Sequence, residues 1–371
     1  MKKISLPVVV TVMCLMVSLV LGLFWINREK QSPIKTDTAE KITRTDYSDV
    51  ARKTLDWIDK QRNDDSWYIL ERGCNFEEKT CDTVWDSEEG NKDGLIATWA
   101  RFNYYQQTKD SADLEIVKSD INKFYEKYPE GVDNALWICK ITYDMYASGL
   151  FDEEINNKLK DICFESELMD SDGLSDYWSK RSDRVFEAMK MEAVWNDWEN
   201  YRLIGSFDGV LGIADDWLSR YLWINNDGYL KEAEDYLSLQ NGLILSGEIN
   251  EIDNICLTGL SYLDFFKKLN ESKYLTRATE IYNEYVEQEL DEILIKTPVC
   301  GLFSKTLFKS TGSDVFLREL ESNNKILIRT GFDGDNVSVV NDGAFFTQVL
   351  TKPITLKSVE TNALIVELLR D

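Results

Sequence analysis

Histidine is absent from all 371 residues. That single absence excludes Ser-His-Asp and Cys-His nucleophile systems, histidine-held zinc and histidine general bases. No GxxxxGK[ST] run occurs, and no GxGxxG follows a strand-like segment, so nucleotide chemistry of those types has no support. Basic residues are also scarce. Lys and Arg number 42 against 66 Asp and Glu, a net charge of −24. A phosphate backbone would meet a repelling field, and nucleic acid is not an expected partner. With 43% apolar and 12% aromatic residues, the chain is not disordered and can bury a large core. Carboxylates are the reactive groups it has in abundance.

Charge is missing locally as well. Leu6 to Ile26 carries no charged side chain. At about 1.5 Å of helical rise per residue, the run crosses a hydrocarbon core of about 30 Å. Lys2 and Lys3 precede it, and Asn27-Arg28-Glu29-Lys30 returns the chain to water. A cleaved signal peptide would leave the bulky Leu23-Phe24-Trp25-Ile26 as a mature start, so residues 1–26 read as an uncleaved transmembrane signal anchor. Residues 27–47 form a polar stalk and 48–371 the folded domain. Beyond Cys14 the cysteines form an even set, Cys74, Cys81, Cys139, Cys163, Cys256 and Cys300, as expected of an oxidising compartment. The expectation is a single-pass cell-membrane protein with its domain outside the cytoplasm. Proximity favours Cys74 with Cys81, and Cys139 with Cys163 across a helical turn, which leaves Cys256 for Cys300.

Helical patterns then follow one another with short polar breaks. Two helices between Asp93 and Tyr128 meet at Thr108-Lys109-Asp110; Asp133 to Ser148 and Asp152 to Phe164 meet at Gly149. Residues 208–239 and 253–294 read as further pairs. The pairs recur roughly every 40 to 50 residues, the spacing of stacked helical hairpins. Near the C-terminus, Ile326 to Thr330 and Val337 to Val340 flank a Gly- and Asp-rich turn and read as a β-hairpin, followed by helices over Asp342–Leu350 and Lys357–Leu369.

Three turns share one pattern: Arg101-Phe-Asn-Tyr-Tyr-Gln-Gln-Thr-Lys-Asp110 running on to Leu114, Arg220 to Leu230 running on to Ala233, and Asp264 to Leu275 running on to Ala278. Each is an aromatic-rich helix end, a polar turn, then a return helix with a leucine or small residue. This resembles the hairpin signature of the six-hairpin (α/α)6 toroid glycosidases. The resemblance implies an all-α toroid of helical hairpins, here with a small β-hairpin near the C-terminus and preceded by one transmembrane helix. A weaker echo, Leu55-Asp-Trp57-Ile58 through Gln61 to Trp67, is similar to the glutamine–tryptophan repeat of terpene cyclases and prenyltransferases, which share the toroid shape. The DxDD acid of the cyclases and the histidine of the prenyltransferase zinc site are absent, so this echo speaks to architecture.

Acids recur where the first helix of a pair begins: Asp93, Asp133, Asp208, Asp253, Asp342 and Glu360. Each has an ordinary use as a helix cap. In a toroid they would also converge on one mouth. Inverting glycoside hydrolysis needs a protonated carboxyl and an ionised one about 6.5–9.5 Å apart, and crowded carboxylates supply such a split. The candidate catalytic set is Asp208 with Asp133, Asp93 or Asp253. Asp342, Glu360, Trp99, Trp137 and Trp217 are candidate substrate contacts, because sugar rings stack on aromatic faces. Asp215-Asp216-Trp217 resembles the adjacent aspartate pair of some toroid endo-mannanases, placed a turn or two down from the mouth if it shares a helix with Asp208. Asp170-Ser-Asp172-Gly and Asp333-Gly-Asp335-Asn do not complete a calcium loop, and no metal or cofactor is expected. The functional expectation is a membrane-tethered carbohydrate-active protein acting on polysaccharide or glycan, as a glycoside hydrolase with paired carboxylates. A non-catalytic glycan-binding toroid and a cyclase-like enzyme are the alternatives.

Overall fold

The computed structural model describes residues 45–63, 67–68, 71–75, 80–85, 91–128, 137–166, 212–247, 252–286, 298–331, 348–351 and 354–370. Within 63–93 and 329–361 the description is of the backbone alone. All belong to one unit, Arg44–Asp371. The expected anchor, residues 1–26, and most of the stalk lie outside the described residues, among which no helix is long and apolar enough to cross a membrane.

The described helices alternate between two layers. Six form the inner one: α2 (Asn91–Thr108), α4 (Ile138–Ala147), α6 (Ile213–Ile224), α8 (Ile252–Leu269), α10 (Pro298–Thr311) and α12 (Val359–Leu369). Each packs on the next, and α12 packs back on α2, so the layer closes into a ring. Outside it lie α1 (Ser48–Lys60), α3 (Ser111–Lys127), α5 (Glu153–Glu165), α7 (Asp227–Leu245), α9 (Ser272–Ile281, continued by a π-turn at Tyr282–Val286) and α11 (Asp314–Gly331). Each outer helix covers an inner partner, with α1 covering α12. The fold is an α/α toroid. Glycine permits the closest approaches within the ring. A Cβ on Gly259 of α8 would lie 2.2 Å from the Phe303 ring of α10, and one on Gly301 of α10 would lie 2.8 Å from Leu368 of α12.

The hairpin turns are one device repeated. Lys109, Asn225, Asn270 and Gly312 each take the left-handed conformation just after an inner helix, at φ 60°, 54°, 57° and 69°. Their N–H groups donate to the carbonyls of Tyr105, Tyr221, Phe266 and Phe308, four residues back in each case. These bonds satisfy otherwise orphaned helix-end carbonyls. The side chains of Asp110 and Asn226 then cap the return helices. In three of these hairpins two further positions meet, eight residues before the left-handed residue and four after it. Trp217 meets Tyr229 with ring centroids 5.3 Å apart, and Tyr262 meets Tyr274 at 6.4 Å. In the first hairpin the same two positions hold Arg101 and Asp113, which form a buried ion pair.

Two disulfides fasten the layers. Cys139–Cys163 ties the start of α4 to the end of α5, and Cys256–Cys300 ties the neighbouring inner helices α8 and α10, with Cα atoms 4.5 and 5.1 Å apart. Cys74 and Cys81 fall on paired strands beside a bulge, and their side chains lie outside the described residues.

The strands correct the expectation for the C-terminal region. Residues 326–330 are the last turns of α11, and Val337 to Val340 lie outside the described residues. The C-terminal hairpin is instead β5 (Gln348–Thr351) with β6 (Ile354–Ser358), so the helix expected over Asp342–Leu350 ends as strand. A lone hairpin is marginal in water. This one joins β3 (Glu71–Asn75) and β4 (Thr80–Trp85) in an antiparallel sheet ordered β4-β3-β6-β5. A separate short pair, β1 (Arg62–Asn63) with β2 (Trp67–Tyr68), leads into it. The expected last helix is present as α12.

Candidate active site

The ring encloses a cavity of about 100 Å³ to which every inner helix contributes. Its level is set by a stagger. Trp99, Leu260, Thr306 and Glu367 each stand eight residues into α2, α8, α10 and α12. At about 1.5 Å per residue, that is roughly 12 Å below their first turns. Trp137, Lys140 and Asp215, by contrast, stand at the start of α4 and α6. The short turns make each hairpin antiparallel, so all six inner helices begin on the same side. On that side, α4 and α6 are the recessed part of the wall.

The recess brings two helix beginnings together. Trp137 at φ 60° and Gly212 at φ 98° are the left-handed residues preceding α4 and α6. Asp215, in the first turn of α6, accepts hydrogen bonds on Oδ2 from the Trp137 indole N–H at 3.2 Å and from the Ser261 hydroxyl of α8 at 2.7 Å. Asp216 accepts on Oδ1 from the backbone N–H of Lys140 at 2.9 Å. Both side chains are buried, and Asp215 Oδ1 and Asp216 Oδ2 have no hydrogen-bond partner among the described residues. Unsatisfied buried oxygens are costly when charged, so the proton is favoured. Burial, with Asp264 nearby and Lys140 and Ser261 opposing, pushes Asp215 up to about 7. Burial, only partly offset by the Lys140 N–H, pushes Asp216 up to about 8.

Asp264 of α8 shares the cavity and behaves oppositely. Its carboxylate pairs with Lys268 at 2.8 Å and Lys140 at 3.4 Å. Burial alone would raise it, but the two ammonium groups outweigh burial and hold it below the usual carboxylate range. Lys140 also pairs with Asp144 at 2.8 Å and lies 5.7 Å from the centre of the Trp99 ring. Burial pulls it down, and the surrounding acids win, holding it above the usual lysine range. One cavity therefore contains a carboxyl that holds its proton near neutrality and a carboxylate that does not. Five of its lining residues, Lys140, Asp215, Asp264, Lys267 and Glu367, are ionisable, whereas a terpenoid cyclase needs a deep apolar cavity.

Of the residues singled out in the sequence, Trp99 and Trp137 line this cavity. Trp217 does not. It packs within its hairpin against Tyr229 and the Arg220 guanidinium. Asp253 is half-buried in the first turn of α8, while Asp93 and Glu360 begin α2 and α12, where only the backbone is described. Asp133, Asp208 and Asp342 lie outside the described residues. The helix expected to include Asp208 starts, as described, at Ile213, so Asp215 and Asp216 stand in its first turn; because α6 begins lower than its neighbours, the pair still lies about two turns below the mouth. Lys140, Ser261 and Asp264 carry no sequence signal of their own, because only ring closure brings them together.

No protein-family model and no curated protein matches the chain. Solved structures do. A structural-genomics protein of Listeria innocua superposes with a TM-score of 0.53 at 13% identity, covering 88% of this chain and 96% of its own. A family 76 alpha-mannanase of Bacteroides thetaiotaomicron gives 0.50 at 10%, covering 88% and 94%. A family 76 glycoside hydrolase from a bovine strain of that species gives 0.52 at 11%, covering 88% and 77%. At such identities the likeness establishes the fold, a helical toroid shared with these glycosidases.

Proposed function

We propose that this protein is a glycoside hydrolase, tethered to the outer face of a membrane, that cleaves an α-mannan-like polysaccharide at the centre of the toroid. The observation that carries the reading is the split between Asp215, pushed up to about 7, and Asp264, held ionised in the same cavity. Environments that drive two carboxyls apart assign acid and base. Asp215 protonates the departing glycosidic oxygen, and Asp264 accepts the proton of the attacking water. Trp99 offers a ring face to a sugar, while Trp137 orients Asp215 through its indole N–H. Asp216 sits one step behind, fixing the start of α4 through the Lys140 amide. The fold shared with family 76 enzymes supports the substrate class, and two disulfides support the exported placement.

Hydrolysis of α-mannan by the full chain tests this. Asp215→Asn and Asp264→Asn should each lower kcat by about 10²–10⁴. Asp216→Asn keeps an acceptor for the Lys140 amide and should lose far less. Unchanged turnover in Asp215→Asn would overturn the assignment. A comparable loss in Asp208→Asn/Asp133→Asn, with Asp215→Asn silent, would move the chemistry to the acids at the mouth, Asp93 and Asp253 among them. One observation favours a second reading, a glycan-binding toroid without turnover: two lysines already neutralise Asp264. Glycan retention with no product in any variant selects it.

A further inference from the structure

The three lysines at the centre of the ring are not equivalent. Lys140 is held by Asp144 and Asp264, and Lys268 by Asp264 at 2.8 Å, Asp144 at 3.6 Å and the Ser219 hydroxyl. Lys267 lines the cavity, yet among the described residues it makes no hydrogen bond and no ion pair. Leu260, Asp264 and Lys267 follow one another at helical spacing along the cavity-facing side of α8. Lys267 is the most exposed of the three, near the end of α8, yet burial is the largest influence on its ammonium.

We propose that Lys267 forms a subsite for an anionic substituent of the glycan, a phosphate or a carboxylate, beside the Asp215–Asp264 pair. The inference rests on the glycan reading above and narrows its substrate class. A sugar entering the cavity strips water from this ammonium. A neutral hydroxyl replaces that water poorly, while an anion replaces it with a charge-assisted hydrogen bond. A lysine on the outer surface would need no such partner, since bulk water serves it. Burial already lowers the Lys267 pKa, with Lys140 adding to the effect and the nearby acids offsetting only part of it. The ammonium is thus under-compensated within a chain whose net charge is −24.

The test is calorimetric titration of the full chain with three matched α-manno-oligosaccharides: neutral, 6-phosphorylated and uronate-bearing. Wild type should bind at least one charged ligand about tenfold tighter than the neutral one, a gap of about 1.4 kcal/mol. Which charged ligand wins identifies the group. Lys267→Gln should abolish that preference while leaving neutral binding within about threefold, and Lys267→Arg should keep it. Equal wild-type affinity for charged and neutral ligands overturns the subsite and leaves the glycan reading standing. Preference retained in Lys267→Gln does the same. Binding of none of the three overturns both.

Discussion

Two clusters of buried charge lie on either side of α2, and they solve the same problem differently. In the outer one, Arg52, Arg62 and Arg101 face Asp59, Asp113 and Asp120 across α1, α2 and α3. Arg62 holds Asp120 with two parallel bonds of 2.7 Å, and Asp113 is shared by Arg101 and Arg52. Arginine suits this work because its planar fork matches a carboxylate. In the inner cluster the cations are lysines, and the first turn of α6 crowds in two further carboxyls with one oxygen each left over. The outer cluster is a lock. The inner one is poised, because Asp215 and Asp216 each keep an oxygen that no donor reaches among the described residues.

That contrast can be tested by breaking each side. The largest effect belongs to Asp113→Ala, which leaves the buried Arg101 with Asp59 as its one remaining carboxylate among the described residues and should destabilise by about 3 kcal/mol in urea unfolding. The double change Arg101→Met/Asp113→Leu should cost less than the single one, since sister hairpins fill those positions with aromatic pairs. A double variant as unstable as Asp113→Ala would end the equivalence. Next comes pH. Asp215 and Asp216 titrate near 7 and 8 when folded, against 3.8 unfolded. Between those values the native state holds the extra proton, so their contribution to stability falls as pH rises from about 4 to 8. Asp215→Asn and Asp216→Asn should therefore be more stable than wild type at pH 8, by about 1–3 kcal/mol each in urea unfolding, and lose the advantage at pH 4. A gain at pH 4 that vanishes at pH 8 would reverse the sign and sink the account. Smallest is the exposed Lys231–Asp235 pair on α7. Lys231→Met should leave the unfolding midpoint unmoved.

What the sequence disclosed follows from how local each feature is. Turn chemistry and helical period act within about ten residues, so the hairpin turns at Lys109, Gly149, Asn225 and Asn270 were legible. The β-hairpin was misplaced because its strand choice depends on β3, which lies far away in the chain. At the site, the resemblance to toroid endo-mannanases singled out the adjacent aspartates, while the helix start at Ile213 was missed. Asp264 entered only as the beginning of a hairpin turn, and Lys140 not at all. Nothing in their neighbourhoods announces that a ring will close around them, nor that α4 and α6 will start lower than the other inner helices.

The meeting of α12 with α1 and α2, and of β6 with β3, has a bearing on assembly. Residues 354–369 complete a wall begun by residues 48–108. Until they arrive, the intervening hairpins form an open arc whose end helices expose apolar flanks, among them Leu55, Ile58 and Phe102. Closing so long a loop carries an entropic cost that local hairpin contacts do not repay. Glu367, a cavity residue, is set in place by that last step. The central cavity is thus complete only when the circle is sealed, and an unsealed intermediate would be sticky.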